Sequence, residues 1–156
     1  MKIGIMGGTF NPIHNAHLLI AEMAREEYGL DRVIFITDGN PPHKSANVTA
    51  KQRFEMTHIA IADNSAFEED DFEINRSEKS YTVNTLGYLK EKYPNNDLFF
   101  IIGEDSLNDF DKWYKPDKIL EMCSLLVFPR KSLKSLTETI KAVKEKMNGR
   151  IFPISA

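Results

Sequence analysis

The chain has 156 residues, 42% hydrophobic and 28% charged, which is ordinary for one globular domain, residues 1–156, with its own core. A net charge of −3 provides no broad positive surface, so we expect no nucleic-acid partner. The single cysteine, Cys123, excludes an internal disulfide and a cysteine cluster for zinc, and we expect it in the core. No apolar run reaches the ~20 residues of a membrane span, and the N-terminus has no leader pattern. We therefore predict a cytoplasmic protein with no membrane partner.

The first half of the chain predicts a strand–loop–helix unit followed by a second strand and a second helix. A short apolar run ends at Gly7, and the segment after residue 14 has apolar residues on one helical face. Thr49 and Gln52 have the spacing of a capping box. The predicted strands are residues 2–6 and 33–36, the predicted helices are residues 15–28 and 49–62, and a loop with tandem prolines occupies residues 39–44.

The second half continues the alternation, and its strongest predicted strand is the apolar run LFFII. We interpret the acidic patch at residues 68–71 as a solvated loop, with a weaker strand at residues 72–75. Predicted helices then lie at residues 82–92, 116–122 and 136–147, and predicted strands lie at residues 98–102, 125–128 and 151–154.

Strands that alternate with helices predict an α/β fold, with a mainly parallel sheet and helices on both faces. Ligands of such sheets bind beyond the carboxyl ends of the strands, at the point where the strand order reverses. The loops that contain Gly7, Gly39 and Gly103 all follow predicted strands. We expect these three loops to line one crevice.

The segment GGTFNPIHNAHLL, residues 7–19, carries the clearest chemical signal. Small residues let backbone N–H groups approach a ligand, and a helix N-terminus supplies about half a positive charge. His14 and His17 are three residues apart, so both imidazoles can reach one phosphate chain. The segment therefore predicts a nucleotide-handling enzyme. The structural alternative is that one histidine caps the helix and the other packs in the core.

Other common site types are not supported by the sequence. No GxGxxG follows the first strand, and no glycine-rich loop ends in Lys-Ser or Lys-Thr, which argues against a hydride-transfer dehydrogenase and a P-loop kinase. A metal bound by His14 and His17 would need another ligand, and no HExxH motif or nearby carboxylate supplies one. We predict no metal-ligating residues.

Five collinear blocks carry a family resemblance. GGTFNPIHNAHL is similar to the GxFxxxHxGH signature of the nucleotidyltransferase superfamily, which has a Rossmann-like fold. The further blocks are NPPHK at residues 40–44, SYTVNTL at 80–86, FFIIGEDSL at 99–107 and KWY at 112–114. In this order they resemble the bacterial nicotinate-nucleotide adenylyltransferases across nearly the whole chain. The resemblance implies adenylyl transfer from ATP to nicotinate mononucleotide, giving nicotinate adenine dinucleotide and pyrophosphate.

The resemblance also implies how phosphate is handled. His14 and His17 would bind the ATP triphosphate, with His17 nearest the α-phosphate, and Lys44 would neutralise phosphate charge, with His43 as a second candidate. Because the attacking group is already an anionic phosphate, catalysis needs alignment and charge neutralisation rather than a base. Mg²⁺ would arrive with ATP, held largely by phosphate oxygens. The helix N-terminus favours neutral imidazole, whereas bound triphosphate favours imidazolium, and the sequence leaves this choice open.

Both nucleotides would contact the backbone of the first loop. The resemblance assigns Gly7, Gly8, Thr9 and Phe10 to ATP, and the last three of these also to nicotinate mononucleotide. Bulky side chains at the two glycines would obstruct a ligand lying over the chain.

The other blocks supply the remaining expected contacts. On the acceptor side, Lys44 would contact nicotinate mononucleotide, Trp113 would stack on the pyridine ring, and Tyr81 and Thr82 would present helix N–H groups to the nicotinate carboxylate. Thr82 as a simple N-cap is the alternative. On the ATP side, Gly103 and Asp105 follow the strongest strand, and Asp105 would accept hydrogen bonds from ribose hydroxyls.

Two further residues receive structural interpretations. His58 lies in an apolar helix and is predicted in the core, and Arg53 matches a family arginine for which we predict a structural ion pair. The lysines of the last helix, at positions 134, 141, 144 and 146, are predicted to form a solvated face.

The sequence departs from the family pattern at its end and leaves other activities open. Family members continue into an ISxTxxR block that helps to bind ATP phosphates, and Ser155 is the last residue here that matches it. We expect impaired catalysis if the polypeptide ends at residue 156, and a longer active enzyme otherwise. The alternatives are a sister adenylyltransferase acting on nicotinamide mononucleotide or phosphopantetheine, and a catalytically silent nucleotide-binding module.

Overall fold

A parallel sheet is the framework of the computed structural model, which describes residues 1–8, 10, 13–39, 49–75 and 81–155. Within these residues the sheet has six strands, and every pair of neighbours is parallel. The strands are β1 (Lys2–Gly8), β2 (Arg32–Thr37), β3 (Phe67–Asp70), β4 (Asp97–Gly103), β5 (Ser124–Phe128) and β6 (Ile151–Pro153). Their spatial order is β3-β2-β1-β4-β5-β6, so the chain reverses direction across the sheet between β1 and β4.

Helices cover both faces of the sheet. The helices are α1 (Asn15–Tyr28), α2 (Ala50–Ile61), α3 (Thr82–Lys92), α4 (Glu104–Asn108), α5 (Pro116–Met122) and α6 (Leu133–Lys146), with a 3₁₀ turn at Phe110–Lys112. The first two pack on one face and the other four on the opposite face. None of the described helices is both long and apolar enough to cross a membrane.

The strands are apolar along both faces because helices cover the sheet on both sides. Ile3 and Ile5 of β1 point into the core beneath α3 to α6, whereas Met6 points into the core beneath α1 and α2. This arrangement confirms the predicted α/β class and the mainly parallel sheet. Cys123 is buried beside β5, as predicted, and the lysines of the last helix are exposed.

Helix boundaries agree with the sequence where a local signal marks them. α3 spans the predicted residues 82–92, and α2 begins behind the predicted capping box of Thr49 and Gln52. The prediction for α6 starts three residues late, because Ser132 caps the helix by accepting a hydrogen bond from the Ser135 N–H at 3.1 Å. α4 and the 3₁₀ turn were not predicted, since each is too short for a periodic pattern.

The acidic segment at residues 67–70 is a strand, so the prediction of a solvated loop there is wrong. β3 pairs with β2, and the predicted strand at residues 72–75 is instead a turn. Glu68 and Asp70 pair with side chains on neighbouring elements. Glu68 bonds Arg32 at 2.6 Å, and the buried Asp70 accepts from Tyr88 at 3.0 Å and Lys92 at 2.8 Å. Tertiary pairing of charges thus overrides the low strand propensity of acidic residues.

His58 lies on the exposed side of α2, so the prediction of a core histidine is wrong. Its side chain is 71% exposed, and its Nδ1 contacts a carboxylate oxygen of Glu69 on β3. Apolar neighbours in the helix sequence suggested burial, but Ile59 and Ala60 beside it are exposed as well. The helix buries a different face, which includes Thr57 and Ile61.

Candidate active site

A cleft of about 410 Å³ lies at the carboxyl ends of the central strands, where the strand order reverses. The ends of β1, β2 and β4 form its floor, and α1, α3 and the segment after the 3₁₀ turn form its walls. The polar and small residues that line it are Gly7, Gly8, His17, Asp38, Glu73, Thr82, Thr85, Gly103 and Ser106. Gly7 and Gly103 thus line one crevice, as expected. Gly39 is not part of its lining, and the rest of the Gly39 loop lies outside the described residues.

His17 is the histidine that faces the cleft. It is half-buried, whereas His14 is exposed and occupies the N-cap position of α1. The His14 backbone N–H donates to His17 Nδ1 at 3.2 Å, and the two ring centroids lie 4.0 Å apart. Because Nδ1 accepts this bond, the neutral ring has its proton on Nε2. Burial, and secondarily the neighbouring His14, lowers the pKa of His17 from its ordinary 6.5, so the free protein holds a neutral imidazole at pH 7.

Phe10 packs behind His17. The Phe10 ring is buried and meets the His17 ring edge-on, with centroids 5.2 Å apart. Phe10 has a φ of 48°, a left-handed conformation that costs a non-glycine residue about 1–2 kcal/mol. A Cβ on Gly8 would come within 3.0 Å of the Phe10 ring, whereas a Cβ on Gly7 would meet nothing closer than 3.9 Å. A side chain at Gly8 would thus crowd the Phe10 ring, while the space above Gly7 is open.

Aromatic rings and a helix N-terminus form the opposite end of the cleft. Trp113 is half-buried, lines the cleft, and packs at 4.9 Å from the ring of Phe110. Thr82 is the first residue of α3 and also lines the cleft. Tyr81, and not Thr82, is the N-cap residue, and its side chain makes no cap hydrogen bond. An aromatic platform and helix N–H groups can together receive a flat ring with an anionic substituent.

Five of the expected ligand contacts lie outside the cleft lining among the described residues, namely Phe10, His14, Tyr81, Asp105 and Ser155. Asp105 is exposed and pairs with Arg130, with 3.3 Å between Oδ1 and Nη1. Ser155 follows the edge strand β6, and its N–H and Oγ bond the Glu27 carboxylate at 2.9 and 2.6 Å. The structure therefore brings together Gly7, Gly8, His17, Thr82, Gly103 and Trp113. It does not bring the other five into the cleft wall, although Phe10 and His14 contact His17 and Tyr81 directly precedes Thr82.

Comparisons with known proteins identify the family. A family model described as cytidylyltransferase-like matches residues 5–154. A protein of Citrifermentans bemidjiense named as a probable nicotinate-nucleotide adenylyltransferase is 47% identical over 90% of this chain and 67% of its own length. A protein of Pelobacter propionicus with the same name is 45% identical over 97% of this chain and 70% of its own length. This chain belongs to the nicotinate-nucleotide adenylyltransferase family.

A solved structure supports the nucleotidyltransferase fold. The nicotinic acid mononucleotide adenylyltransferase of Plasmodium falciparum, in complex with NaAD, superimposes with a TM-score of 0.79. The match covers 99% of this chain and 75% of that chain, at 22% sequence identity. The chain spans about two thirds of the length of the two curated adenylyltransferase relatives.

Some expected adenylyltransferase residues lie outside the described part of the chain. Thr9 and the whole PPHK loop, including His43 and Lys44, are among them. Their assignments stay predictions.

Two residues of the cleft lining, Asp38 and Glu73, were not predicted from the sequence. Asp38 directly follows β2 and lines the cleft, and the rule that ligands lie beyond strand ends could have found it. Arg53 is buried, and its Nη1 donates to the Asp38 carbonyl oxygen at 2.7 Å. Glu73 also lines the cleft, whereas the sequence predicts a strand at residues 72–75. No local pattern in the sequence marks the position of Glu73.

Proposed function

We propose that this protein transfers the adenylyl group of ATP to nicotinate mononucleotide, giving nicotinate adenine dinucleotide and pyrophosphate, a step of NAD biosynthesis. The observation that carries the proposal is the position of His17, with Nε2 available to donate, at the wall of a cleft at the topological switch point. The reaction is inferred from family membership, and the cleft is the proposed site of that reaction.

The reaction requires one exchange of bonds at phosphorus. A 5′-phosphate oxygen of nicotinate mononucleotide forms a bond to the α-phosphorus of ATP, and the bond from that phosphorus to the bridging oxygen breaks. Pyrophosphate leaves with the electron pair of that bond. Since the nucleophile is already an anion, no side chain has to remove a proton from it, and the enzyme contributes alignment and charge stabilisation.

His17 is suited to stabilise charge at the α-phosphate. The bond from the His14 N–H to His17 Nδ1 fixes the ring and directs the Nε2 proton away from the helix backbone. A neutral imidazole can therefore donate to a phosphate oxygen without first taking up a proton. His14 lies at the helix start, where its ring can approach the outer phosphates. Lys44 is proposed to supply the positive charge that neutralises phosphate, on the strength of its family block.

Mg²⁺ belongs to the substrate in this proposal. The described residues contain no cluster of three histidine, cysteine or carboxylate side chains that could hold a metal ion. The cleft also carries two carboxylates, Asp38 and Glu73, which disfavour an unscreened polyphosphate. Mg²⁺ bound to ATP is held largely by phosphate oxygens and reduces this repulsion.

The acceptor is proposed to bind with its pyridine ring at Trp113. Its carboxylate would then meet the N-terminus of α3 at Thr82, where the helix dipole favours a negative group. An uncharged amide gains less from this field, so nicotinate is preferred over nicotinamide. Tyr81 packs against Tyr114 at 4.5 Å between ring centroids and supports this end of the cleft.

The ATP end is proposed to use the backbone of the first loop together with Gly103. For Asp105 to accept ribose hydroxyls its side chain must leave Arg130, which is feasible because this pair is about two-thirds exposed and hence weak. Ser155 would similarly exchange its bonds with the exposed Glu27 for contacts with phosphate.

The experiment measures pyrophosphate release and dinucleotide formation by the full-length protein with ATP and three acceptors. Nicotinate mononucleotide should react faster than nicotinamide mononucleotide or phosphopantetheine. The variant His17→Ala should lower kcat by about a hundredfold or more, as expected for loss of one transition-state donor. The control variant His58→Ala removes an exposed histidine on α2, and its kcat should stay within about twofold of the wild-type value. Equal rates for nicotinate and nicotinamide, or full activity of His17→Ala, would contradict the proposal.

A further inference from the structure

Glu73 is a carboxylate of the cleft wall to which the proposed reaction assigns no role. It is half-buried, and its Oε2 accepts a hydrogen bond from the Thr85 hydroxyl at 2.6 Å. Thr85 is buried on α3, lines the same cleft, and also contacts the Tyr81 carbonyl oxygen at 3.5 Å. The Thr85 bond therefore orients the carboxylate at the cleft surface from a rigid helix.

The backbone of Glu73 also lies against the backbone of Gly39. A Cβ built on Gly39 would lie 2.2 Å from the Glu73 carbonyl oxygen and 2.7 Å from the Ile74 Cα. Only glycine permits this close approach between the loop after β2 and the turn that contains Glu73. Glu73 is thus fixed on one side by Gly39 and on the other by Thr85, which suits a group that must meet a ligand at a defined position.

A carboxylate selects hydrogen-bond donors. Its two oxygens offer about four lone-pair positions, so one carboxylate can accept several hydrogen bonds at once. The Thr85 hydroxyl is one of the donors that Glu73 meets. At neutral pH the phosphate and the carboxylate of nicotinate mononucleotide are anions that accept hydrogen bonds, and Glu73 would repel both. The ribose hydroxyls are the donors that remain on this substrate. Hydroxyl-to-carboxylate hydrogen bonds are short and strong, particularly where water is excluded.

The position of Thr85 on α3 favours the ribose of the acceptor over that of ATP. Thr85 lies three residues after Thr82, so Glu73 contacts α3 less than one turn, about 5 Å, from the proposed site of the nicotinate carboxylate. A ribose attached to the pyridine ring lies within this range. Gly7 and His17, the proposed ATP contacts, belong to β1 and α1.

We infer that Glu73 recognises the ribose of the acceptor nucleotide by accepting a hydrogen bond from its 2′- or 3′-hydroxyl. This inference rests on the proposed function, and it adds a residue that determines specificity for a riboside over a deoxyriboside. Thr85 and Gly39 are positioning residues for this carboxylate.

The test combines a protein variant with substrate analogues. The full-length wild type and Glu73→Ala are assayed for kcat/KM with nicotinate mononucleotide and with its 2′-deoxy and 3′-deoxy analogues, at saturating ATP. In the wild type, removal of the contacted hydroxyl should lower kcat/KM about ten- to a hundredfold, the range for a hydrogen bond to a charged group. In Glu73→Ala, removal of the same hydroxyl should lower kcat/KM by less than about threefold, because the variant has no carboxylate to accept its hydrogen bond.

Controls separate recognition from a structural effect. Thr85→Val removes the internal bond but keeps the carboxylate, so it should still discriminate against the deoxy analogue by about tenfold. The inference would be overturned if the ratio of kcat/KM between nicotinate mononucleotide and each deoxy analogue were the same in wild type and in Glu73→Ala. It would also be overturned if Glu73→Ala changed the corresponding ratio for 2′-deoxy or 3′-deoxy ATP instead. If the wild type forms no dinucleotide from nicotinate mononucleotide, the proposed function fails, and the inference fails with it.

Discussion

Glu104 joins the end of β4 to the start of α6 through a buried carboxylate, and its removal should be costly. The residue is 6% exposed and accepts three hydrogen bonds, each of 3.1 Å, from the Arg130 N–H and the hydroxyls of Ser135 and Thr139. In Glu104→Ala the hydroxyls can turn to solvent, because both residues are half-buried. The Arg130 N–H loses a charged acceptor. Hydrogen bonds to charged groups contribute about 1.5–3 kcal/mol, so we expect a total loss of about 3 kcal/mol in the free energy of unfolding.

The same carboxylate should make stability depend on pH. The Arg130 N–H, as the largest cause, lowers the pKa of Glu104 from its ordinary 4.5. Its stabilising contribution is therefore complete above pH 4.5 and is lost as the pH falls through the folded-state pKa. Denaturant unfolding followed by circular dichroism should show wild type more stable than Glu104→Gln at pH 7, with the difference shrinking below pH 4.5. A loss under about 0.5 kcal/mol in Glu104→Ala, or a difference that does not change with pH, would refute the reasoning.

Three further substitutions test the geometry of the cleft and of β3. Gly8→Ala would place a methyl 3.0 Å from the Phe10 ring and shift the packing behind the His17 imidazole, so steady-state kinetics should show kcat at least about tenfold lower; an unchanged kcat would contradict this packing role. Trp113→Ala should raise KM for the mononucleotide acceptor about tenfold with a smaller effect on KM for ATP, and equal effects on both would be the contrary result. Asp70→Asn removes the charge that binds Lys92, and thermal unfolding should show a loss of about 2 kcal/mol, whereas an unchanged midpoint would count against the pairing.

Local signals in the sequence were sufficient for most elements and for part of the cleft. The apolar runs of β1 and β4 and the start of α3 have patterns that depend on neighbouring residues only, and the structure confirms them. Gly7 and His17 were predicted as site residues from the paired glycines and the histidine spacing, and Thr82 from the family resemblance at a predicted helix start. The structure places all three in the cleft lining.

The errors have a common physical cause, which is dependence on distant partners. The acidic segment β3 forms a strand because Arg32 and Lys92, which are distant in sequence, form ion pairs with its carboxylates. His58 is exposed because α2 buries another face, and its ring contacts Glu69 on β3. Glu73 lies in the cleft wall, where the backbone at Gly39 and the Thr85 hydroxyl contact it, and both are distant in sequence. None of these contacts is encoded within a short window of sequence.

The most direct test of the central claim is a crystal structure of the full-length protein soaked with a non-hydrolysable ATP analogue and Mg²⁺. We expect the α-phosphate at the carboxyl end of β1, with one of its oxygens about 3 Å from Nε2 of His17. The backbone after Gly7 should lie directly beneath the phosphates. A nucleotide bound elsewhere, with the His17 imidazole turned away from every phosphate, would contradict the account.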